Sequence, residues 1–269
     1  MNRLTFLVSC FFVVLGVSAC KTTTGANNQK ETTLRVMSYN IRHGNPPSKP
    51  KFIDLDATIA VIRQQNPDLV ALQEVDVHTK RSGGVDQAKI IAEKLGMYYF
   101  FGKALDYDGG DYGVAILSKF PLLDAQVVAL PILEGTNAEL RALALAAVQL
   151  PNGQKIWIGS THLDEKGNPA NRLAQLDAIA KVQATLKEPF LIAGDFNATP
   201  GSESIQRLDA LFTRTCQDCA PTFPVINSTK AIDFIAYTPA ARFTVKSHLV
   251  IQETYASDHL PIVAELGLK

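Results

Sequence analysis

Apolar and polar positions alternate along this chain in short blocks. Runs of strand length rich in Val, Ile, Leu and Ala are separated by turns holding Gly, Pro, Asn and Asp. The pattern predicts strands over 33–41, 68–74, 97–103, 112–118, 122–130, 139–150, 155–162, 189–195, 231–238, 242–251 and 261–267. Four stretches have helical character instead, predicting helices over 54–65, 86–95, 169–187 and 202–211. Asn168 followed by Pro169 is a helix start signal, and Gly96 is placed to end the second helix. Many strands with a few interspersed helices predict two sheets packed face to face, with helices outside. No linker divides residues 33–269, which read as one domain.

The first residues break this pattern. Arg3 precedes an almost wholly apolar run from Leu4 to Val17, too short to span a bilayer and of signal-peptide length. The run ends in Val17-Ser18-Ala19-Cys20, which resembles the lipobox of bacterial lipoproteins. Cleavage there removes residues 1–19 and leaves Cys20 to carry lipid. An ordinary secretory signal with an incidental Cys20 is the other reading. Residues 20–32 then hold the lipidated Cys20 and a polar, aperiodic stretch (KTTTGANNQKET) that reads as a flexible tether. The expected product is an exported bacterial lipoprotein, a monomer anchored to a membrane through its N-terminal lipid on the periplasmic or cell-surface side.

Composition narrows the partners. Hydrophobic residues make up 46% and charged residues 19%, which suits a globular chain and not a disordered one. Lys plus Arg equal Asp plus Glu at 26 each. Proteins that grip long nucleic acids show a basic stripe, because phosphate neutralisation dominates that affinity. No run of Lys and Arg is present, which disfavours nucleic acid as partner. Beyond Cys10 and Cys20, the cysteines are Cys216 and Cys219, spaced C-x-x-C. A zinc site needs a second pair, and a redox motif belongs at a helix start; this pair lies in a Pro-rich segment, so a small structural disulfide is expected.

The polar groups with chemistry fall at strand ends. Asn40, Glu74, His162 and Asp195 each close an apolar run, with Asn197 two residues past Asp195. Tyr112, Asp233 and the pair Asp258-His259 stand where other runs begin. In a sheet of mixed direction these ends share one rim. Adjacent Asp258 and His259 can address one site only from a loop, which Pro261 fits. Each residue alone has a plain structural explanation: a strand terminator, a satisfied histidine, a turn. Together, carboxylates, amides and two histidines without a nucleophilic Ser or Cys elbow match hard-metal phosphoryl chemistry.

The segments MSYNIRHG, PDLVALQEVD, DYGVAILSKFP, STHLD, IAGDFNATP, AIDFIAY and SDHLPIVAEL carry a resemblance. In that order, over essentially all of 33–269, they resemble the signature blocks of the endonuclease/exonuclease/phosphatase (DNase I-like) superfamily. The resemblance implies a four-layer α/β sandwich: two mixed, mostly antiparallel β-sheets face to face, with helices on both outer faces. It implies that Glu74 is the principal metal ligand, with Asn40 and Asp258 completing the cation site, and that the cofactor is Mg²⁺, Mn²⁺ or another divalent ion. Asp195 would orient and deprotonate the attacking water, with Asn197 beside it. His259, paired with Asp233, would contact the phosphate, and His162 and Tyr112 would donate to its other oxygens. Relatives often carry Arg before the Ile-Asp pair; here Lys230-Ala231 precedes Ile232-Asp233. The run 79–87 resembles a segment of small bacterial members, which makes Arg81, Asp86 and Gln87 candidates for the substrate side of the cleft. A loop salt bridge and a helix cap by Asp86 are the alternative. Arg141 is a phosphate-binding candidate or an edge charge.

Three functions compete. The first is a metal-dependent phosphoesterase acting by in-line water attack on a small-molecule, sugar or lipid head-group phosphate, mono- or diester. The second is an extracellular nuclease cleaving DNA or RNA. The third is a lipoprotein that binds a phosphorylated ligand without catalysis.

Overall fold

The computed structural model describes Met1 and residues 32–269. The expected signal segment beyond Met1, Cys20 and the tether up to residue 31 lie outside the described residues. Strand β1 (Thr32–Asn40) opens the fold, one residue earlier than the pattern predicts. After it come α1 (Leu55–Gln65), β2 (Leu69–Val77), α2 (Gln87–Leu95), β3 (Tyr98–Tyr107) and β4 (Gly110–Ser118). The chain continues through β5 (Leu122–Leu130), β6 (Arg141–Gln149), β7 (Lys155–His162), α3 (Ala170–Gln183), β8 (Phe190–Asp195) and α4 (Glu203–Leu211). It ends with β9 (Thr213–Arg214), β10 (Asp233–Thr238), β11 (Phe243–Val250) and β12 (Ile262–Leu268).

The strands form two six-stranded sheets, ordered β11-β12-β1-β2-β4-β3 and β5-β6-β7-β8-β10-β9. Only β1–β2 and β7–β8 pair in parallel; the other pairings are antiparallel. One apolar layer fills the space between the sheets, with Val36, Ile116, Ala146, Ile158 and Leu191 in it. A second packs α3 and α4 on the outer face of the β8 sheet through Leu176, Ile179, Ile205 and Leu208. A third packs α1 and α2 on the other sheet through Ile59, Ile62, Ile91 and Ala92. Helices, sheet, sheet and helices make the four layers expected, because strands that bury both faces need cover on each side. Among the described residues no helix is long and apolar enough to cross a membrane.

Local signals explain the boundaries. Asp54, Asp86 and Ser202 accept the backbone N–H of Ala57, Lys89 and Ile205 and so cap α1, α2 and α4. Gly96 closes α2 at φ +67°. Asn168 accepts the Ala170 N–H at 2.9 Å ahead of α3. Four predictions are corrected, the first being that the third strand runs on to Tyr107, not 103. The third helix stops at Gln183, not 187. The two-residue β9 was not predicted, being too short to carry a period. The second strand does not end at Glu74 but runs on to Val77. Cys216 and Cys219 form a disulfide, as their spacing suggested.

Candidate active site

Register alone gathers a third of the site. In the β8 sheet, His162 pairs with Asp195 across β7–β8, and Asp233 pairs with Asp195 across β8–β10. Three functional side chains therefore stand abreast at the ends of neighbouring strands. Gly194 makes this possible: a Cβ there would lie 2.0 Å from the Thr161 carbonyl oxygen, so any side chain would push β8 off β7 beside the site. Asn197 follows in the left-handed region at φ +48°, and its backbone N–H bonds Asp195 Oδ1 at 2.8 Å.

The other sheet contributes across the seam. Asn40, the last residue of β1, donates from Nδ2 to Glu74 Oε1 at 3.0 Å and to Asp195 Oδ2 at 3.2 Å. It clasps the two sheets at the rim. Glu74 reaches this position through a bulge. Leu72 pairs with Ala115 but Val75 pairs with Gly113, so Gln73 and Glu74 together face one residue of β4. Glu74 sits at φ +55°, a strained conformation for a non-glycine residue. The extra residue sends Gln73 inward, where it bonds Ser160 Oγ of the facing sheet at 3.2 Å, and turns Glu74 toward the rim.

Asp258 and His259 come from the loop before β12. Ser257 donates to the Asn40 carbonyl at 2.7 Å and accepts the His259 N–H, fixing that loop to the end of β1. His259 Nδ1 lies 3.0 Å from Asp233 Oδ2, and its Nε2 lies 3.7 Å from Asp195 Oδ2. Phe223 stacks on its ring at 4.7 Å between centroids. Asp258 pairs with Arg42 Nε at 3.4 Å. Tyr112, inside β4, faces the cavity at Glu74. The structure thus brings Asn40, Glu74, Tyr112, His162, Asp195, Asn197, Asp233, Asp258 and His259 to one rim.

Their charges are set by burial and by each other. Burial would lower the His259 imidazole, but the Asp233 and Asp195 carboxylates outweigh it and push it up to about 10, so it is an imidazolium at neutral pH. Burial and the neighbouring Asp233 push the Asp195 carboxyl up to about 7 against the opposing pull of His259. Burial, with Arg141 and His259 nearby, drives His162 well below its usual value, so it is neutral. Arg141 then fixes its tautomer. Arg141 Nη1 lies 3.1 Å from His162 Nδ1, and arginine only donates. His162 must accept there and carry its proton on Nε2, 3.5 Å from Asp195 Oδ2 and 3.0 Å from the Asn197 amide, which has to present its oxygen to that proton.

Two sets of groups suit a metal differently. Asp195, Asp233 and His259 bring ligand atoms within 4.8 Å of one another. His259 Nδ1 is engaged with Asp233, so its ring offers a metal only the nitrogen Nε2, whereas a hard cation prefers oxygen ligands. Glu74 suits a hard cation better. Burial raises its carboxyl, the nearby Asp258 raises it further, and a cavity of about 100 Å³ opens against it with room for retained waters. Asn40 turns its amide nitrogen, not its oxygen, toward the two carboxylates, since Oδ1 accepts the Arg42 N–H at 3.1 Å. It holds the carboxylates from the side as a donor, in place of the oxygen-ligand geometry expected of it.

The candidates for the substrate side separate. Arg81 lines the small cavity at Glu74, stacked over Tyr107 at 4.3 Å, and binds Asp76 through both Nε and Nη2 at 2.7 Å. Asp86 caps α2. Gln87 is buried, accepting the Asp76 N–H and donating to the His43 carbonyl, which ties the turn after Asn40 to α2. Sequence reasoning missed Arg42, Glu139, Thr222, Phe223 and Ser257. Of these, Arg42 lies inside the MSYNIRHG block, Ser257 opens the SDHLPIVAEL block, and Glu139 pairs with Arg141 only two residues on, at 3.3 Å. The rest meet partners distant in sequence.

Residues 37–259 match the model of the Endonuclease/Exonuclease/phosphatase family, and the chain belongs to that family. Its members are hydrolases of phosphoester bonds, which makes the activity of phosphoesterase or nuclease type. The chain is 28% identical over 255 residues to YbhP of Escherichia coli strain K12, covering 89% of this chain and 98% of YbhP. Its fold is similar to an endonuclease/exonuclease/phosphatase from Beutenbergia cavernae, with a TM-score of 0.73 at 24% identity, covering 88% of this chain and 72% of that one. It is also similar to a mannosyl-6-phosphatase of Bacteroides thetaiotaomicron, with a TM-score of 0.69 at 19% identity over 87% of this chain and 99% of that one.

Proposed function

We propose that this chain is a divalent-cation-dependent phosphoesterase that cleaves a small-molecule, sugar or lipid head-group phosphate by in-line attack of water. One observation carries the reading. Asp195 lies within 3.7 Å of the Nε2 atoms of both His259 and His162, and shares the Asn40 amide with Glu74. Base, cation and cation-holding carboxylate therefore bear on one point.

With its carboxyl near neutrality, Asp195 is poised to orient a water and take its proton. The His259 imidazolium, held by Asp233, meets the charge that develops on a phosphoryl oxygen. His162 offers its Nε2 proton beside it, and Tyr112, kept protonated by burial, offers its hydroxyl. Bound at Glu74 with Asp258, Mg²⁺ or Mn²⁺ supplies further charge stabilisation to the phosphoryl group. Positioning and charge stabilisation account for most of what phosphoryl transfer requires.

The test is a panel of phosphoesters assayed with Mg²⁺, with Mn²⁺ and with chelator. Hydrolysis by the wild type, lost with chelator and in Glu74→Ala, is the expected result. Cation-dependent plasmid nicking that exceeds every small ester would make the nuclease reading win. Ligand binding without any turnover would leave a binding protein. The N-terminal signature adds a second proposal, an exported lipoprotein, supported by Arg3, the apolar run and Cys20. Mass spectrometry of the membrane fraction should find diacylglycerol on Cys20, and Cys20→Ala should release the protein.

A further inference from the structure

A second, larger cleft adjoins the catalytic rim. It has a volume of about 410 Å³, within the roughly 300–1,000 Å³ typical of small-molecule sites. Asn197 and Phe223 form the wall it shares with the site: the Asn197 amide contacts His162 Nε2 at 3.0 Å, and the Phe223 ring packs tilted against His259. A group esterified to a phosphate held at His259 and His162 thus has this cleft beside it.

The lining says what kind of group. Glu165, Thr199, Glu203 and Lys230 are exposed along it, and Phe223 is half-buried. Arg172, also in the lining, is buried and gives Nη1 to the carbonyls of Asp164 and Lys166, so it braces the wall. The exposed rim presents the Glu203 carboxylate, the Lys230 ammonium and Glu165, whose carboxylate lies 3.4 Å from Lys166 Nζ. Carboxylates accept paired hydroxyl donors, Lys230 and Thr199 donate in return, and an aromatic face covers C–H bonds.

We propose that this cleft binds a polyhydroxylated substituent of the phosphate ester, such as a sugar, inositol or glycerol moiety. The inference rests on the reading of Asp195 and His259 as a phosphoesterase site, and it deepens that reading.

Its test compares wild type, Lys230→Ala and Glu203→Gln on two sets of substrates with Mg²⁺. One set is hexose 6-phosphate, inositol 1-phosphate and glycerophosphoglycerol. The other is p-nitrophenyl phosphate and its bis ester, which carry no hydroxyls. Wild type should prefer a polyol ester, and each variant should raise its KM about tenfold or more while leaving nitrophenyl ester kinetics and thermal unfolding unchanged. Unchanged KM for the preferred polyol ester in both variants overturns the subsite, as does a wild type that cleaves an oligonucleotide in preference to every polyol ester. Equal losses on both substrate sets overturn it too. If nitrophenyl esters are cleaved in a Glu74-dependent manner without polyol preference, only the subsite fails. If the wild type cleaves nothing, both readings fail.

Discussion

Arg141 and His162 are joined side chain to side chain, Nη1 to Nδ1 at 3.1 Å, in a buried corner of the site. Because the guanidinium has no acceptor, the pairing decides which imidazole nitrogen keeps the proton. Partners of this kind typically contribute roughly 10–100-fold to activity without touching the reacting atoms. Arg141→Met should lower kcat by roughly that factor with little change in KM. The ¹⁵N shifts of His162 should move from the Nε2–H pattern toward a tautomeric mixture. An unaltered ¹⁵N spectrum would remove Arg141 from this role.

Activity should follow a bell in pH. Asp195 works ionised, so the rate rises as pH passes its value of about 7. His259 works protonated, so the rate falls as pH passes about 10. Asp233 is the leading upward influence on His259, and Asp233→Asn should move the alkaline limb down by roughly 1–3 units. An alkaline limb that stays in place in this variant would show that another group governs it.

Stability should respond to the same groups. The folded-state value of His259 lies above its unfolded value, so its contribution is complete below about 6.5 and is lost as pH rises through about 10. Asp195 is raised as well, but it is an acid. Its folded form prefers the proton, so stability falls as pH climbs from about 3.8 to about 7. At pH 8 the wild type carries that cost in full. Asp195→Asn should therefore unfold at an equal or higher temperature at pH 8 while losing ~100-fold or more in turnover. A lower Tm by calorimetry would contradict the burial argument.

Much of this was legible in the chain. Strand period, caps at Asp54, Asp86 and Ser202, and the glycine after α2 are local, so their signals lie where they act. The residues ending β1, β7 and β8 were legible for the same reason: a polar group that closes an apolar run sits at a sheet rim. What escaped depends on contacts between distant positions. Thr222 donates to Asp233 and Ser257 to the Asn40 carbonyl across separations of 11 and 217 residues, and although Ser257 opens the SDHLPIVAEL block, no pattern announces either partner. Gln87 and Asp86 read equally well as substrate contacts or as scaffold, and only their hydrogen bonds place them in the scaffold. The bulge at Glu74 hid because alternation on both of its flanks stays regular, with Leu72 and Val75 in the same apolar layer.

That last feature has a consequence for how this fold and its chemistry are separable. Across β4, one position stands opposite both Gln73 and Glu74, so β2 is a residue too long for its partner. Excising Glu74 would shorten β2 into an uninterrupted ladder, keep Leu72 and Val75 on their shared side, and relieve a left-handed backbone whose cost is of order 1–3 kcal/mol. The excised chain should melt no lower than its parent and show unbroken amide protection along β4, yet hydrolyse nothing. Catalysis in this sandwich would then hang on a single surplus residue, and an inert, sturdier scaffold would lie one codon away.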